Sequence, residues 1–229
     1  MTTENLIQGS AEWHQARCGS LGASSIADAI ARTKSGWGAS RSNLLARLVV
    51  ERLTGVPAES YINDAMIWGM KTEPQARAAY SFFRDAAVTE VGLIVHPTIG
   101  GTHASPDGLV GIGGLLELKC PTSATHIATL MSKAVPDKYV VQMQWQMACT
   151  RRQWADYASF DPRFPVDLQL FVERLPRDNR RITELEAQAR EFLAEVDTTI
   201  AELKGRGHEH LTDKLRASLA EPATILGAG

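Results

Sequence analysis

Ser105-Pro106-Asp107-Gly108-Leu109-Val110-Gly111-Ile112-Gly113-Gly114-Leu115-Leu116-Glu117-Leu118-Lys119-Cys120-Pro121 is the stretch on which both fold and chemistry turn. Thr102 to Val110 and Leu115 to Cys120 read as strands, and the glycines at 111, 113 and 114 supply the turn between them. Side chains alternate along a strand, so Glu117 and Lys119 share one face while Leu116 and Leu118 share the other. At a rise of ~3.3 Å per residue, the carboxylate and the amine stand about 7 Å apart along the chain. The leucines place this strand inside the fold, where charged groups are costly unless partnered. A hairpin brings Asp107 toward Glu117. Two carboxylates so placed repel unless a cation lies between them.

Oxygen ligands without a nearby His or Cys favour Mg²⁺ or Mn²⁺, and the Leu118 carbonyl is a further candidate ligand. A metal there would polarise a phosphate and acidify a water, with Lys119 beside it to orient the nucleophile or stabilise developing charge. The alternative is an ordinary surface hairpin carrying a Glu–Lys pair. Glu-x-Lys alone is weak evidence. The preceding Ser-Pro-Asp-Gly and the apolar surroundings strengthen it.

Outward from this hairpin, the spacing predicts a helix within Ser10 to Arg32, capped by Ser24 or Ser25, and a polar loop over Thr33 to Ser42. Helices follow over Asn43 to Thr54, ending at Gly55, and within Met66 to Ala86, where Pro74 fits best in the first turn and a helix starting earlier with a kink is the alternative. Val88 to His96 reads as a strand. Tyr139 to Cys149 is an apolar helix, Trp154 to Phe160 and Leu168 to Arg174 are strands, and Arg181 to Lys204 is a long amphipathic helix. This order predicts an α/β or α+β domain with a central mixed sheet flanked by helices.

The 229 residues suit one domain, with a core over about residues 10–204 and a tail over 205–229. The composition, 44% hydrophobic and 22% charged, is that of a globular protein, and no apolar run approaches the ~20 residues that span a bilayer. No signal peptide is legible, so a cytoplasmic location is expected. Cys18, Cys120 and Cys149 are odd in number and form no CxxC pair, which argues for buried reduced thiols over a disulfide framework or zinc site. A net charge of −2 argues against non-specific coating of nucleic acid, but not against local basic and acidic tracks that cancel in the sum.

Several further blocks stand in order around the hairpin: Trp13-His14-x-x-Arg17-x-Gly19, Gly22-Ala23-Ser24, Trp68-Gly69 with Glu73, Gln142-x-Gln144, and Tyr157-x-x-x-Asp161-Pro162. Together with Ser105 to Gly108 and Leu116 to Pro121, they make the sequence resemble the phage lambda exonuclease (viral recombinase) family of PD-(D/E)xK nucleases over roughly residues 10–175. The resemblance implies that nuclease core and a processive 5′→3′ exonuclease on double-stranded DNA ends, using Mg²⁺ with Mn²⁺ as a substitute. It also implies a homotrimer and a single-strand annealing protein as partner.

By the same resemblance Asp107, Glu117 and the Leu118 carbonyl are metal ligands, Lys119 is the catalytic lysine, and Glu73 and Gln142 belong to the site. Arg17, Ser24 and Ser105 match a pocket for a terminal 5′-phosphate, where hydroxyls, a helix N-terminus and a guanidinium would converge. Each has a plainer alternative: Glu73 as a first-turn acid favoured by the helix dipole, Gln142 as a satisfied interface polar group, Ser24 as a cap, Arg17 as a surface charge. His14, His96 and His103 read as structural. Arg151, Arg152, Arg163 and Arg174 are either DNA-backbone contacts or a solvated basic face. Two other functions compete with the exonuclease: an internally cutting endonuclease on the same core, and a DNA-end binding protein without cleavage.

Overall fold

The computed structural model describes residues 5–34, 36–58 and 63–206. Nearly all of the expected tail lies outside them. The chain opens with α1 (Ala11–Arg17), where the Ser10 hydroxyl accepts the Trp13 amide at 3.2 Å. The helix expected near Ser24 is largely absent. Gly19 turns the chain at φ +66°, β1 (Leu21–Gly22) follows, and one turn of 3₁₀ helix leads into α2 (Ile26–Ala29). Ser25 sits at the start of α2 without a side-chain capping bond, so the expected cap is not used. The expected polar loop contains a small hairpin, β2 (Arg32–Thr33) and β3 (Gly36–Trp37).

Next comes α3 (Ala39–Thr54), which ends as expected at Gly55 in the left-handed region with φ +69°. Then α4 (Asp64–Arg84) carries Pro74 in its interior, which is the alternative of an earlier start and not the preferred first-turn placement. The helix starts earlier because Asn63 caps it, accepting the Met66 amide at 2.9 Å. Pro74 therefore costs one interior hydrogen bond, which the length of the helix absorbs.

The strands expected over 88–96 and 102–110 each divide, giving β4 (Val88–Thr89), β5 (Ile94–Val95), β6 (Thr102–Ala104) and β7 (Gly108–Val110). Both breaks fall where the N-terminal segment crosses. Gln8 Nε2 donates to the Val91 carbonyl at 2.8 Å and to the Pro106 carbonyl at 3.0 Å. Leu6 passes so near Gly92 that a Cβ there would meet its carbonyl oxygen at 2.2 Å. Beyond lie β8 (Gly114–Lys119), α5 (Ser123–Ser132), α6 (Asp137–Thr150), β9 (Trp154–Phe160), β10 (Leu170–Pro176) and α7 (Asn179–Arg206). Sequence reading missed α5, which Thr122 caps.

The pieces assemble into a five-stranded sheet of order β10-β9-β8-β7-β4 and a three-stranded sheet of order β1-β6-β5. In the larger, β8 runs parallel to β9 and antiparallel to β7, and the remaining pairs are antiparallel, so the expected mixed sheet is present. Each face of β8 meets a different layer. Leu116 and Leu118 pack with Ala76 and Tyr80 of α4, while Leu115 packs with Met143 and Met147 of α6. A third cluster joins α2, α3, α6 and α7 around Trp145 and Phe192. The two sheets are thus held by one helix, α6, and the site lies along it. No described helix is long and apolar enough to cross a membrane.

Candidate active site

The β7–β8 hairpin pairs Gly108 with Leu116, which sets Asp107 beside Glu117 as the sequence predicts. Asp107 Oδ2 accepts the Leu118 amide at 2.6 Å, so the carboxylate is tied to the strand that bears its partner. Glu117, 1% exposed, is held on both oxygens: Gln142 Nε2 donates to Oε1 at 2.7 Å and Gln146 Nε2 to Oε2 at 2.6 Å. The Lys119 ammonium also bonds Glu117 Oε1, and it reaches the Leu118 carbonyl at 3.0 Å. Burial raises the Asp107 carboxyl, and the adjacent Glu117 charge adds to it, pushing the group up to about 8. For Lys119, burial works downward, but Glu117 and Asp107 outweigh it and hold the ammonium charged well above the usual lysine range.

These groups fit a hard divalent cation. The Glu117 carboxylate and the Leu118 carbonyl already converge on one positive charge, the Lys119 ammonium. Asp107 faces a like charge that a further cation would relieve. All these donors are oxygens, the set suited to Mg²⁺. Among the described residues no group of three or more His, Cys, Asp or Glu side chains is gathered for a metal, so the main-chain carbonyl would be needed. Glu73 lies within electrostatic reach of Glu117 and Lys119, and burial raises its carboxyl. Its Oε1 is bonded to Arg77 at 2.6 Å, however, and Arg77 also holds Glu90 at 3.0 Å. The structure brings Glu73 near the hairpin without adding it to the set.

Beside the hairpin is a cavity of about 120 Å³ lined by Trp13, Arg17, Ser24, His103, Ser105 and Gln142, among others. It unites all three residues of the expected phosphate pocket. Arg17 lies with its guanidinium carbon 3.8 Å from the Trp13 ring centroid, and its Nε donates to His103 Nε2 at 3.1 Å. That leaves His103 Nδ1 to donate to Ser20 Oγ at 2.8 Å. Trp13 Nε1 in turn donates to Ser105 Oγ at 3.2 Å. Burial, with the neighbouring Arg47 charge, lowers Arg17 to about 10 against an upward pull from Glu51. Burial and Arg17 together press His103 down to about 3. A Cβ on Gly22 would lie 2.9 Å from His103 Nε2, so only glycine leaves this wall intact.

Ser24 lines the pocket. The helix after it has only four residues, so the anion-binding helix terminus expected there is not built. Gln142 is the link, since it lines the cavity and bonds Glu117.

Sequence reading missed three of these residues as parts of the site. His103 reads as structural in the sequence, yet it stands on the cavity wall. Gln146 shares a helix face with Gln142 at i, i+4, and that spacing was the available signal. Trp13 gave none beyond its place in a block. Gln144 points away, its Nε2 donating to the Pro176 carbonyl at 2.9 Å. Of the four arginines considered for DNA, three are engaged within the fold: Arg152 with the Gly111 and Gly114 carbonyls at 2.7 Å, Arg163 with Asp161, and Arg174 with Asp156. Arg151 is exposed. Only Cys149 of the three cysteines is buried; Cys18 and Cys120 are half-buried.

Comparison with known proteins places this geometry. The YqaJ-like viral recombinase domain matches residues 12–153, a span that holds the hairpin site and all of the pocket lining except Gln8. The alkaline exonuclease LHK-Exo of Laribacter hongkongensis is 46% identical, with a TM-score of 0.80 over 92% of this chain and 100% of that one. The same enzyme has been solved in complex with dAMP, with the same measures of likeness. A phage-related exonuclease from Haemophilus somnus 129PT shares the fold, at 17% identity and a TM-score of 0.67 over 80% of this chain and 96% of that one. No curated protein matches at a significant level. With over half its length in the match, the chain belongs to the family of YqaJ-like viral recombinase domains.

Proposed function

We propose that this protein is a Mg²⁺-dependent exodeoxyribonuclease. It degrades one strand of linear double-stranded DNA in the 5′→3′ direction from 5′-phosphorylated ends and exposes single strands for annealing-type recombination. The observation that carries the reading is the pairing of two sites through Gln142: an acidic hairpin with a lysine, and a basic, hydroxyl-lined cavity next to it. The exonuclease names of the 46% identical relative support it. Homotrimer assembly and an annealing-protein partner belong to the same proposal and rest on the family resemblance.

Asp107, Glu117 and the Leu118 carbonyl would hold the cation, which when bound polarises the scissile phosphate and acidifies a water. Lys119 lies at the same oxygens, placed to hold the attacking oxygen or the charge that grows on phosphorus. Gln142 and Gln146 fix the orientation of Glu117, so the carboxylate needs no reorganisation during the reaction. Arg17, Ser24 and Ser105 would grip a terminal phosphate, with the guanidinium set against Trp13 and His103.

The test is digestion of linear duplexes labelled separately at each end, with and without a 5′-phosphate, alongside closed-circular DNA in Mg²⁺. The expected result is loss of label first from 5′-phosphorylated ends, with the circle intact. Equal digestion of the circle would establish the internal cutter instead. Binding of ends without hydrolysis would establish the non-catalytic protein.

A further inference from the structure

One face of α6 delivers a third side chain to the Glu117–Lys119 pair. Tyr139, Gln142 and Gln146 are spaced i, i+3 and i+7 and so line up along the helix. The two glutamines hold Glu117. Tyr139 serves the other partner, with the Lys119 ammonium 5.2 Å from its ring centroid, inside the ~6 Å range of cation–π attraction.

The ring is itself supported. It stacks on Tyr157 with centroids 5.5 Å apart at 25°, and Tyr157 meets Phe171 edge-on at 6.5 Å. Tyr157 is 1% exposed and pairs in register with Glu117 across the parallel strands. The aromatic series therefore runs from β10 through β9 to α6 and ends at Lys119.

We propose that Tyr139 is a positioning residue for Lys119, its ring face holding the ammonium at the hairpin. A lysine side chain is flexible, and its hydrogen bonds here go to the Glu117 carboxylate and the Leu118 carbonyl. Any second cation drawing on those oxygens weakens that hold. A neutral ring face keeps the ammonium in place without competing for the same oxygens. Lys138, exposed, lies 4.8 Å from the same centroid, so Lys138→Ala is the control for which cation the ring serves. The role of Lys119 in turnover rests on the nuclease reading, but its seat on the ring does not.

The experiment compares Tyr139→Phe, which keeps the ring, with Tyr139→Leu, which removes it. On linear duplex with Mg²⁺, the leucine variant is expected to lose about tenfold in kcat with little change in KM. The phenylalanine variant should recover to within about threefold of wild type, and Lys138→Ala should not copy the leucine loss. Independently, lysine-labelled protein is read by NMR, with the Lys119 signals assigned through Lys119→Arg. Wild type and Tyr139→Phe should show a ring-current shift of the Lys119 methylene protons that Tyr139→Leu abolishes. Thermal unfolding checks that the variants fold, and Tyr139→Met replaces the leucine variant if it does not. A leucine variant that keeps the ring-current shift or the wild-type kcat overturns the proposal, and so does a phenylalanine variant as impaired as the leucine one. If the wild-type protein hydrolyses no DNA, the nuclease reading fails while the NMR comparison still decides the contact.

Discussion

Asp107 and Lys119 occupy opposite electrostatic situations across the β7–β8 hairpin. One carboxylate is raised to about 8 by burial beside Glu117, and one ammonium is held charged by both acids. If Asp107 holds the cation, Asp107→Ala removes both a ligand and the acceptor of the Leu118 amide, and turnover on linear duplex is expected to vanish. Wild-type turnover in that variant would remove Asp107 from the metal set. Lys119→Ala keeps the carboxylates and is expected to lower kcat by roughly 10²–10³ while end binding persists, as when one charge-stabilising donor is deleted. His103 gives a separate prediction that involves no substrate. Its folded-state value near 3 lies below the ordinary 6.5, so below pH 6.5 the unfolded chain binds the extra proton. Stability from this group is complete above pH 6.5 and declines as pH falls toward 3, by about 1.4 kcal/mol per unit. Denaturant titrations at pH 7.5 and 5 should show wild type losing about 2 kcal/mol more than His103→Gln. Equal losses would mean that His103 takes up its proton freely in the folded protein.

At the scale of elements, the β7–β8 hairpin fixes the acidic pair, and two glycines fix the hairpin. Gly111 has φ +51°, and a Cβ on Gly114 would lie 2.1 Å from the Trp154 ring. Gly114→Val is therefore expected to destabilise the fold by about 1–3 kcal/mol through overpacking, and Gly111→Ala by about 1–2 kcal/mol through left-handed strain. Equilibrium unfolding measures both, and an unchanged midpoint for Gly114→Val would refute the packing argument.

This hairpin was legible in the sequence because alternation and turn glycines are local signals. So were β9 and the C-terminal stop of α3, where the strand pattern and Gly55 each mark their own boundary. The breaks between β4 and β5, and between β6 and β7, were not legible. They depend on Gln8 reaching residues more than 80 positions away, which no local window contains. The sequence left two starts open for α4 and favoured the later one for a related reason. Pro74 is a strong local signal for a first turn, but Asn63, eleven positions earlier, already caps the helix. Of the site, the acidic residues showed through their spacing. His103 and Trp13 did not, since their roles arise only when β6 and α1 meet at Arg17.

At the scale of the whole molecule, the cavity and the acidic pair occupy different substructures. The cavity draws on α1, the turn after β1, and the end of β6 in the small sheet, whereas the acidic pair belongs to the large sheet. Between them stands α6, with Trp145 Nε1 donating to Thr102 Oγ1 at 3.2 Å on one side and the two glutamines on Glu117 on the other. Phe192 and Leu185 of α7 close the same core behind it. The separation of the two sites is thus set by a packed helix, and a phosphate seated in the cavity would fix which linkage reaches the carboxylates. A net charge of −2 offers little general attraction for DNA, so under the proposed function the grip on an end would come from such local groups. Arg17→Ala should then lower kcat/KM on 5′-phosphorylated duplexes by roughly 10–100-fold, the range for losing a charge-assisted contact, and bring them down to the level of 5′-hydroxyl ends. On hydroxyl ends the variant and wild type should run alike. Arg17→Lys should restore only part of the difference, because an ammonium lacks the fork that bonds His103 and a phosphate at once. Equal impairment on both kinds of end would detach the cavity from phosphate recognition and leave Arg17 as a general contact to the backbone.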